Sequence, residues 1–207
     1  MRDYGGKSGE QRRAERRARL IDTALELFGT QGYQATSMRA LLRSAGLQDR
    51  YFTESFASME ELLVAVHDKV HDAEFAAAVG AMDPAAPPVE RLRQLIDAIV
   101  RGLEDDPRVG RVKILEVFGA GPLVEEHRQR GVRAYASVVA EVLPPLRADS
   151  DLDRKVLAMA LVVGLNGLFM EWLTKSLKLS REQIVEHAML LVRGVMHEAC
   201  VPSVNMA

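Results

Sequence analysis

The sequence predicts an all-α protein of about nine helices. Apolar residues recur at intervals of three and four along most of the chain, which is the period of a helix with one buried face. Two stretches begin with a helix-capping pattern, Ser58-x-x-Glu61 and Ser180-x-x-Gln183, and none is a convincing strand. The composition, 48% hydrophobic but only 5% aromatic, is enough for a substantial core and suits helices.

The first helix is expected from about Gln11 to Gly29, with an apolar stripe that begins at Leu20. Residues 1–10 are Gly-rich and polar, so we expect them to be disordered. The first part of the helix, QRRAERRAR, contains five arginines. Such a run is usually a solvated helix face, but its basic side chains could also contact phosphates.

Residues 36–56, TSMRALLRSAGLQDRYFTESF, predict two short helices joined by a tight turn. Ser37 can cap the first helix, and Ala45-Gly46-Leu47 forms the turn, where glycine can take a backbone conformation that is costly for other residues. The second helix is expected from about Gln48 to Glu54. A helix-turn-helix carries its second helix into the major groove of DNA. The stretch therefore predicts a sequence-specific DNA-binding protein.

The residues expected to contact DNA lie in this second helix and at the start of the first. Arg50 is the best candidate for reading a base, because its guanidinium fits the acceptor edge of guanine; alternatively, it could pair with Asp49 or Glu54. Tyr51 could stack, donate to a phosphate or pack on the domain surface. Gln48, Arg50 and Tyr51 are expected at the bases, and Thr36, Ser37, Arg39 and Thr53 nearer the DNA backbone.

Residues 20–66 resemble the DNA-binding domain of TetR-family transcriptional regulators. The matching elements follow one another in unbroken order: Ile21, Ala24, Leu27 and Phe28; Gly32-Tyr33; Thr36-Ser37; Ala45-Gly46-Leu47; Phe52; Phe56; Ser58; and Glu60-Glu61-Leu62-Leu63. Two positions depart from the family pattern, since many members have Tyr in place of Thr53 and Lys in place of Met59. In the family those residues commonly contact DNA phosphates, so the departures bear on the strength of DNA binding.

The resemblance implies three regions: a disordered tail at 1–10, a helix-turn-helix domain at 11–57, and a helical effector-binding and dimerisation domain at 58–207. A fourth helix, from Ser58 to about Ala81, joins the domains without a flexible linker. It stops at a loop marked by three prolines, Pro84, Pro87 and Pro88. Five further helices are expected at about 89–104, 107–118, 123–143, 151–178 and 181–199.

Residues 156–170, VLAMALVVGLNGLFM, are apolar on nearly every side. This run is shorter than the roughly 20 residues that a bilayer requires, so no membrane partner is expected. A helix that is apolar all round must be buried all round, and a second copy of the chain is the simplest cover. In TetR-like proteins the last two helices of each subunit form a four-helix dimer interface. The expected interface residues are Met159, Val163, Gly164, Gly167, Ile184, Ala188, Leu191 and Val195.

A small-molecule pocket is expected in the larger domain, for a small apolar or amphipathic effector. The candidate lining residues are aromatic or apolar with one polar anchor: Phe118, Tyr135, Asn166, Phe169, Met170 and Trp172. Taken singly, each is more often an ordinary core residue than a ligand contact. Asn166 is the most informative, because a buried amide needs hydrogen-bond partners. A ligand or a dimer mate could supply them.

Residues that could support catalysis or bind a metal are few. His67 and His71 can share one helix face, but two histidines without a third ligand are weak evidence for a metal. They could equally lie on the surface or line the floor of a pocket. The sequence has no Gly-rich phosphate loop, nucleophile elbow or paired-cysteine motif. No catalytic residue, metal or cofactor is therefore expected.

The charge is unevenly distributed along the chain. Residues 1–56 contain ten Lys or Arg and seven Asp or Glu, whereas the remainder contains 17 and 22. A basic N-terminal part fits a DNA-facing domain. The N-terminus has no apolar segment typical of a signal peptide, so we expect a cytoplasmic protein.

Together these features predict a homodimeric repressor that a small molecule releases from a palindromic operator. The first alternative is an interaction protein of the same fold with weakened DNA binding, which Thr53 and Met59 motivate. The second is a helical enzyme, for which the pair of His67 and His71 is the only support.

Overall fold

The computed structural model describes residues 8–201, and these form a helical fold. The helices are α1 Gly9–Thr30, α2 Met38–Ala45, α3 Asp49–Thr53, α4 Met59–Gly80, α5 Pro88–Asp105, α6 Pro107–Gly110, α7 Pro122–Val142, α8 Arg154–Leu173 and α9 Arg181–Ala199. A π-helical segment, Arg111–Glu116, continues α6. Within residues 8–201 the only β-type pairing is an isolated bridge between Leu146 and Cys200. The predicted all-α fold of about nine helices is confirmed.

The capping patterns read from the sequence begin helices in the structure. The Ser37 hydroxyl accepts a hydrogen bond from the Ala40 amide at 3.2 Å, which opens α2. Ser58 accepts from the Glu61 amide at 3.1 Å, which opens α4. Ser180 opens α9 with a reciprocal capping box. These local bonds satisfy amides that have no partner inside the helix, and for this reason the helix starts are readable from sequence.

Two predicted helix boundaries are corrected. Ser8 caps α1 in a capping box with Gln11, so residues 8–10 begin the structured part of the chain and are not a disordered tail. Residues 1–7 of the predicted tail lie outside the described residues. At the start of α8, the cap is Asp153 rather than Asp151, because the Asp153 carboxylate accepts hydrogen bonds from the amides of Lys155 and Val156 at 2.7 and 3.1 Å.

The buried side chains form two clusters that share α4 as a common wall. The first cluster joins α1, α2, α3 and the N-terminal half of α4, and its fully buried members include Leu20, Phe28 and Leu41. Val112 of the π-helical segment also belongs to this cluster. The second cluster joins α5, α7, α8, α9 and the end of α4 at Ala78. The helix-turn-helix domain is therefore packed directly against the larger domain.

The turn between α2 and α3 has the geometry predicted from the sequence. Gly46 has a φ of 63°, in the left-handed region, and its amide donates to the carbonyls of Leu42 and Arg43. No side chain would obstruct a Cβ at this position. Glycine is needed here for its backbone conformation rather than for space.

One side of α8 and α9 is apolar and exposed in the single chain. The residues of this α8–α9 face are Val156, Val163, Gly164, Gly167, Leu190, Leu191 and Gly194. The most apolar 18-residue window of α8 has a mean hydropathy of 1.8, yet only 28% of it is buried. By length and composition alone this helix could cross a membrane, but one such helix is weak evidence for a membrane span. An apolar face of this extent indicates a site of association.

Two of the predicted dimer residues do not lie on this face. Ile184 and Ala188 are fully buried in the core of the single chain. They point inward because they occupy the side of α9 that packs against α5 and α8. Leu190 and Gly194, which the sequence argument did not select, are exposed instead. Met159 and Val195 are half-buried, whereas Val163, Gly164, Gly167 and Leu191 are exposed as expected.

Candidate DNA-contact surface and effector cavity

Polar side chains of α3 and of the residue before it face solvent. Gln48, Arg50 and Thr53 are exposed, whereas Phe52 is buried beneath them. Gln48 occupies the N-cap position without using its side chain for a capping bond. The Thr53 hydroxyl donates to the carbonyl of Arg50 at 3.1 Å. Burial of Phe52 fixes the orientation of the helix and leaves these side chains exposed.

Tyr51 lies between two guanidinium groups. The Cζ atoms of Arg16 and Arg50 are 4.4 and 4.7 Å from the centre of its ring, and Arg50 Nη2 donates to the Tyr51 hydroxyl at 2.8 Å. Arg16 also pairs with Glu54 at 3.1 Å. Arg50 therefore contacts Tyr51 rather than Asp49 or Glu54. Such stacking holds Tyr51 and Arg50 in a defined orientation at the surface.

The residues before α3 are placed differently from one another. Ser37 and Arg39 are exposed at the start of α2. Thr36 is buried, and its hydroxyl donates to the carbonyl of Gly32 at 2.7 Å. The expectation that the Thr36 side chain faces DNA is therefore corrected: it closes the turn before α2. In the first helix, Arg16 is half-buried against the motif, and Arg17 stacks over the Phe56 ring at 4.8 Å.

A cavity of about 320 Å³ lies between α4, the π-helical segment, α7 and α8. Its lining combines apolar and polar side chains: His67, His71, Lys113, Ile114, Phe118, Arg128, Gly131, Val132, Tyr135, Val163, Asn166, Gly167 and Met170. Four of the six predicted ligand residues, Phe118, Tyr135, Asn166 and Met170, are among them. The structure therefore brings most of the predicted set together in one place.

The other two predicted ligand residues lie elsewhere. Phe169 is buried in the core and lines a smaller neighbouring cavity of about 40 Å³. Trp172 is near the end of α8, and its indole nitrogen donates to the carbonyl of Leu179 at 2.9 Å. Its ring lines a separate shallow depression with Leu103 and Leu177. Trp172 is therefore excluded from the main cavity because it anchors the turn between α8 and α9.

A buried ion pair borders the cavity. The Lys113 ammonium pairs with the Glu74 carboxylate, and the Tyr135 hydroxyl donates to the other oxygen of that carboxylate at 3.1 Å. Burial and the charge of Glu74 raise the pKa of Tyr135, so it remains a neutral hydrogen-bond donor. Each charged group in this cluster has a partner, as buried charges require.

Two stacked histidines form the α4 side of the cavity. The rings of His67 and His71 are 5.7 Å apart and nearly parallel, and both are buried. Burial lowers the pKa of both imidazoles; with the nearby charge of Lys113 it lowers the pKa of His71 to about 4. Both rings are therefore uncharged at neutral pH. No group of three or more metal-ligating side chains is assembled anywhere in residues 8–201.

Arg128 and Phe118 lie together at the edge of the cavity. Arg128 donates two hydrogen bonds to Glu125, at 2.8 and 2.7 Å, and its guanidinium lies 5.0 Å from the centre of the Phe118 ring. Phe118 is 54% exposed. Sequence reasoning missed Arg128 and Lys113 as lining residues, because nothing in their local sequence distinguishes them from surface cations.

The π-helical segment connects the cavity with the DNA-binding domain. Lys113 and Ile114 line the cavity. From the same segment, Arg111 Nη1 donates to the carbonyl of Thr30 at 2.8 Å, and the Glu116 carboxylate accepts from the amide of Tyr33 at 2.7 Å. Arg111 and Glu116 also pair with each other at 2.7 Å. Thus one short segment carries both a cavity wall and the bonds that hold the end of α1.

Comparison with known proteins agrees with this architecture. Residues 20–66 match the family described as bacterial regulatory proteins, tetR family. The HTH-type transcriptional regulator BetI of Rhizobium meliloti (strain 1021) is 30% identical over 171 residues, which cover 82% of this chain and 84% of BetI. The chain belongs to the TetR family. It is therefore a TetR-type DNA-binding transcriptional regulator.

Further relatives of this TetR-family regulator support the same assignment. The HTH-type transcriptional repressor KstR of Rhodococcus jostii (strain RHA1) is 31% identical over 93 residues, 45% of this chain and 43% of KstR. Among solved structures, the fatty acid degradation regulator FadR from Bacillus halodurans has a TM-score of 0.73 at 17% identity, over 91% of this chain and 97% of that one. FadR from Bacillus subtilis in complex with stearoyl-CoA has a TM-score of 0.72 at 17% identity, over 86% and 98%. At such identities the two structures establish the shared fold.

Proposed function

We propose that this regulator is a homodimeric repressor, released from a near-palindromic operator when a small molecule occupies the cavity beside α4. The observation that supports this most strongly is the double role of the π-helical segment. It carries Lys113 and Ile114 in the cavity wall, and Arg111 and Glu116 in bonds to the DNA-binding domain. Occupation of the cavity can therefore act on the helix-turn-helix through directly bonded groups.

The coupling follows from the two arrangements that the domains can adopt. A ligand that displaces Lys113 or Ile114 also displaces Arg111 and Glu116, and with them the end of α1. The ligand releases DNA only if it binds more tightly to an arrangement that does not fit the operator. The same coupling makes the operator weaken ligand binding by an equal factor.

Each subunit is expected to place α3 in a major groove. Arg50, whose guanidinium is exposed and oriented by Tyr51, is assigned to a base edge, with Gln48 beside it. Ser37, Arg39 and Thr53 are assigned to phosphates. Two copies of α3 then read half-sites about one helical turn apart, roughly 34 Å. Thr36 makes no side-chain contact in this proposal, since it is buried.

The α8–α9 face is assigned to the dimer. Its exposed apolar side chains and its three glycines, which face open space, allow two copies to approach closely. Val163 and Gly167 belong both to this face and to the cavity wall. A partner subunit packed there would lie over one edge of the cavity.

The expected effector is a small, largely apolar molecule. FadR from Bacillus subtilis, a neighbour in fold, is in complex with stearoyl-CoA, so this fold can hold an amphipathic molecule. The cavity described here has a volume near the lower limit of small-molecule sites, about 300–1,000 Å³. We assign Phe118, Tyr135, Asn166 and Met170 to effector contacts.

The proposal is tested by titrating purified protein against DNA from upstream of its own gene, with random DNA as competitor, at two salt concentrations. Saturable binding that resists competition and weakens with salt supports a specific regulator. The proposal would be contradicted if the protein bound the upstream fragment, other fragments selected from the genome and random DNA with the same weak affinity. That result would instead favour an interaction protein, as Thr53 and Met59 suggest.

A further inference from the structure

Two polar side chains in the cavity have hydrogen-bonding groups without partners. Neither ring nitrogen of His71 has a hydrogen-bond partner within the described part of the chain, although the residue is only 8% exposed. The Asn166 amide, on the α8 side of the same cavity, likewise makes no side-chain hydrogen bond to any of residues 8–201. Both side chains line the cavity, so their polar atoms are available to a ligand.

The His71 ring is fixed in position by its neighbours. It stacks between His67 and Phe75, at centroid distances of 5.7 and 5.8 Å, and meets the Tyr135 ring edge-on at 5.7 Å. Its edge faces Gly131 of α7, where an added Cβ would lie 2.7 Å from Cε1 and about 3 Å from both nitrogens. The imidazole therefore fills the space that a side chain at position 131 would occupy, and this contact with α7 holds the ring in place at the cavity wall.

The cations that line the cavity, in contrast, already have anionic partners. Lys113 pairs with the buried Glu74, and Arg128 donates two hydrogen bonds to Glu125. An anionic ligand would bring a second negative charge near Glu74 without a free cation to balance it. His71 would not supply that charge, because its pKa of about 4 leaves it neutral. The cavity thus disfavours an additional buried anion.

We propose that the effector is an uncharged, mostly apolar molecule that carries a hydroxyl or carbonyl group, which His71 and Asn166 bind by hydrogen bonds. The inference rests on the proposed function, in which this cavity is the effector site. The neutral imidazole offers one donor and one acceptor, and the amide offers two donors and an acceptor. Ile114, Val132, Val163 and Met170 enclose the apolar part.

Compounds that share the same apolar part but carry either a neutral hydroxyl or a charged carboxylate test this inference. Binding of 2-naphthol and 2-naphthoate, and of 1-decanol and decanoate, is measured by calorimetry on the full chain at pH 7.5. The alcohol of each pair should bind at least about tenfold more tightly than the carboxylate, because burying an unpaired negative charge costs more than burying a hydrogen-bonded hydroxyl. Binding of the apolar ring system alone is measured with naphthalene, which should bind more weakly than 2-naphthol because it lacks the hydroxyl.

Two substitutions at one position separate hydrogen bonding from shape. His71→Leu should reduce the preference for 2-naphthol over naphthalene to about twofold or less, whereas His71→Gln, which keeps a donor and an acceptor, should retain most of it. Asn166→Leu should act in the same direction as His71→Leu. Circular dichroism verifies that each variant is folded, and the His71→Gln variant serves as the matched control.

The outcomes distinguish the ligand class from the proposed function. Carboxylates that bind as tightly as the alcohols, or a failure of every uncharged compound to bind, would overturn the inference. If a carboxylate alone released the protein from its operator, the repressor mechanism would stand and the ligand class would be wrong. If 2-naphthol bound through His71 but left operator affinity unchanged, the ligand class would stand and the effector role would be wrong.

Discussion

The α8–α9 face predicts that a single substitution, Leu190→Ala, strongly weakens the dimer. Leu190 is 64% exposed in the single chain. The substitution removes three carbon atoms, which are worth about 2.4 kcal/mol when fully buried at about 0.8 kcal/mol each. Scaling by the exposed share gives about 1.5 kcal/mol for each subunit. A two-fold interface contains the residue twice, so the loss is about 3 kcal/mol, or roughly a hundredfold in the dissociation constant.

The assay is sedimentation velocity across a dilution series of each protein. Leu123→Ala is the matched control, since Leu123 is another exposed leucine but lies at the start of α7, outside the α8–α9 face. Neither substitution should change the stability of the single chain by more than about 0.5 kcal/mol, because both side chains are exposed. A Leu190→Ala protein that is folded and dimerises within about threefold of the unsubstituted protein would refute the assignment of this face.

Three further predictions concern DNA binding, packing and pH. Arg50→Ala should lower the preference for operator over random DNA, whereas Arg39→Ala should weaken binding to both alike and reduce the salt dependence by about one ion. Affinities are measured by fluorescence anisotropy. These roles would be contradicted if both variants lost affinity for operator and for random DNA to the same extent. Gly131→Ala should destabilise the protein by about 1–3 kcal/mol in urea unfolding, because the added Cβ would collide with His71. Gly80→Ala should not destabilise the protein in this way, because a Cβ at that position would meet no other atom. The pKa of His71 is lowered to about 4 in the folded chain, so below about pH 6.5 the unfolded chain binds a proton at this residue more readily than the folded chain does. The free energy of unfolding should therefore fall by roughly 3 kcal/mol at most as the pH drops from about 6.5 to about 4. Urea titrations at pH 7 and 4.5 measure this change, and the His71→Gln variant should lack it.

The sequence predicted best those features that depend on neighbouring residues. The starts of α2, α4 and α9 follow from Ser37, Ser58 and Ser180, because a capping bond spans only three residues. The left-handed turn at Gly46 is equally local. The order of these signals identified the family, which the comparisons confirm.

Features that depend on tertiary packing were less predictable. A stripe of apolar residues along α9 does not reveal which edge meets the core, so Ile184 and Ala188 were assigned to the dimer although they are buried. Burial of Thr36 and the position of Trp172 depend on hydrogen bonds to Gly32 and Leu179. Single aromatic residues give no sign of which cavity they line.

The polar part of the cavity required the structure for a further reason. Lys113 and Glu74 are far apart in sequence, as are Tyr135 and His71, and the cluster forms only when α4, α7 and the π-helical segment meet. The histidine pair was visible as a spacing of four residues on one helix. The sequence left open whether these histidines were exposed, bound a metal or lined a pocket, and the structure places both in the cavity wall.

The most direct test of ligand-coupled repression is a closed thermodynamic cycle. Operator affinity is measured by fluorescence anisotropy with and without a saturating amount of the uncharged compound that binds the cavity most tightly, and the affinity for that compound is measured with and without operator. Each partner should weaken the binding of the other by the same factor, and Glu116→Gln, which weakens the bond to Tyr33, should reduce this factor. An operator affinity that is unchanged when the cavity is occupied would contradict the account.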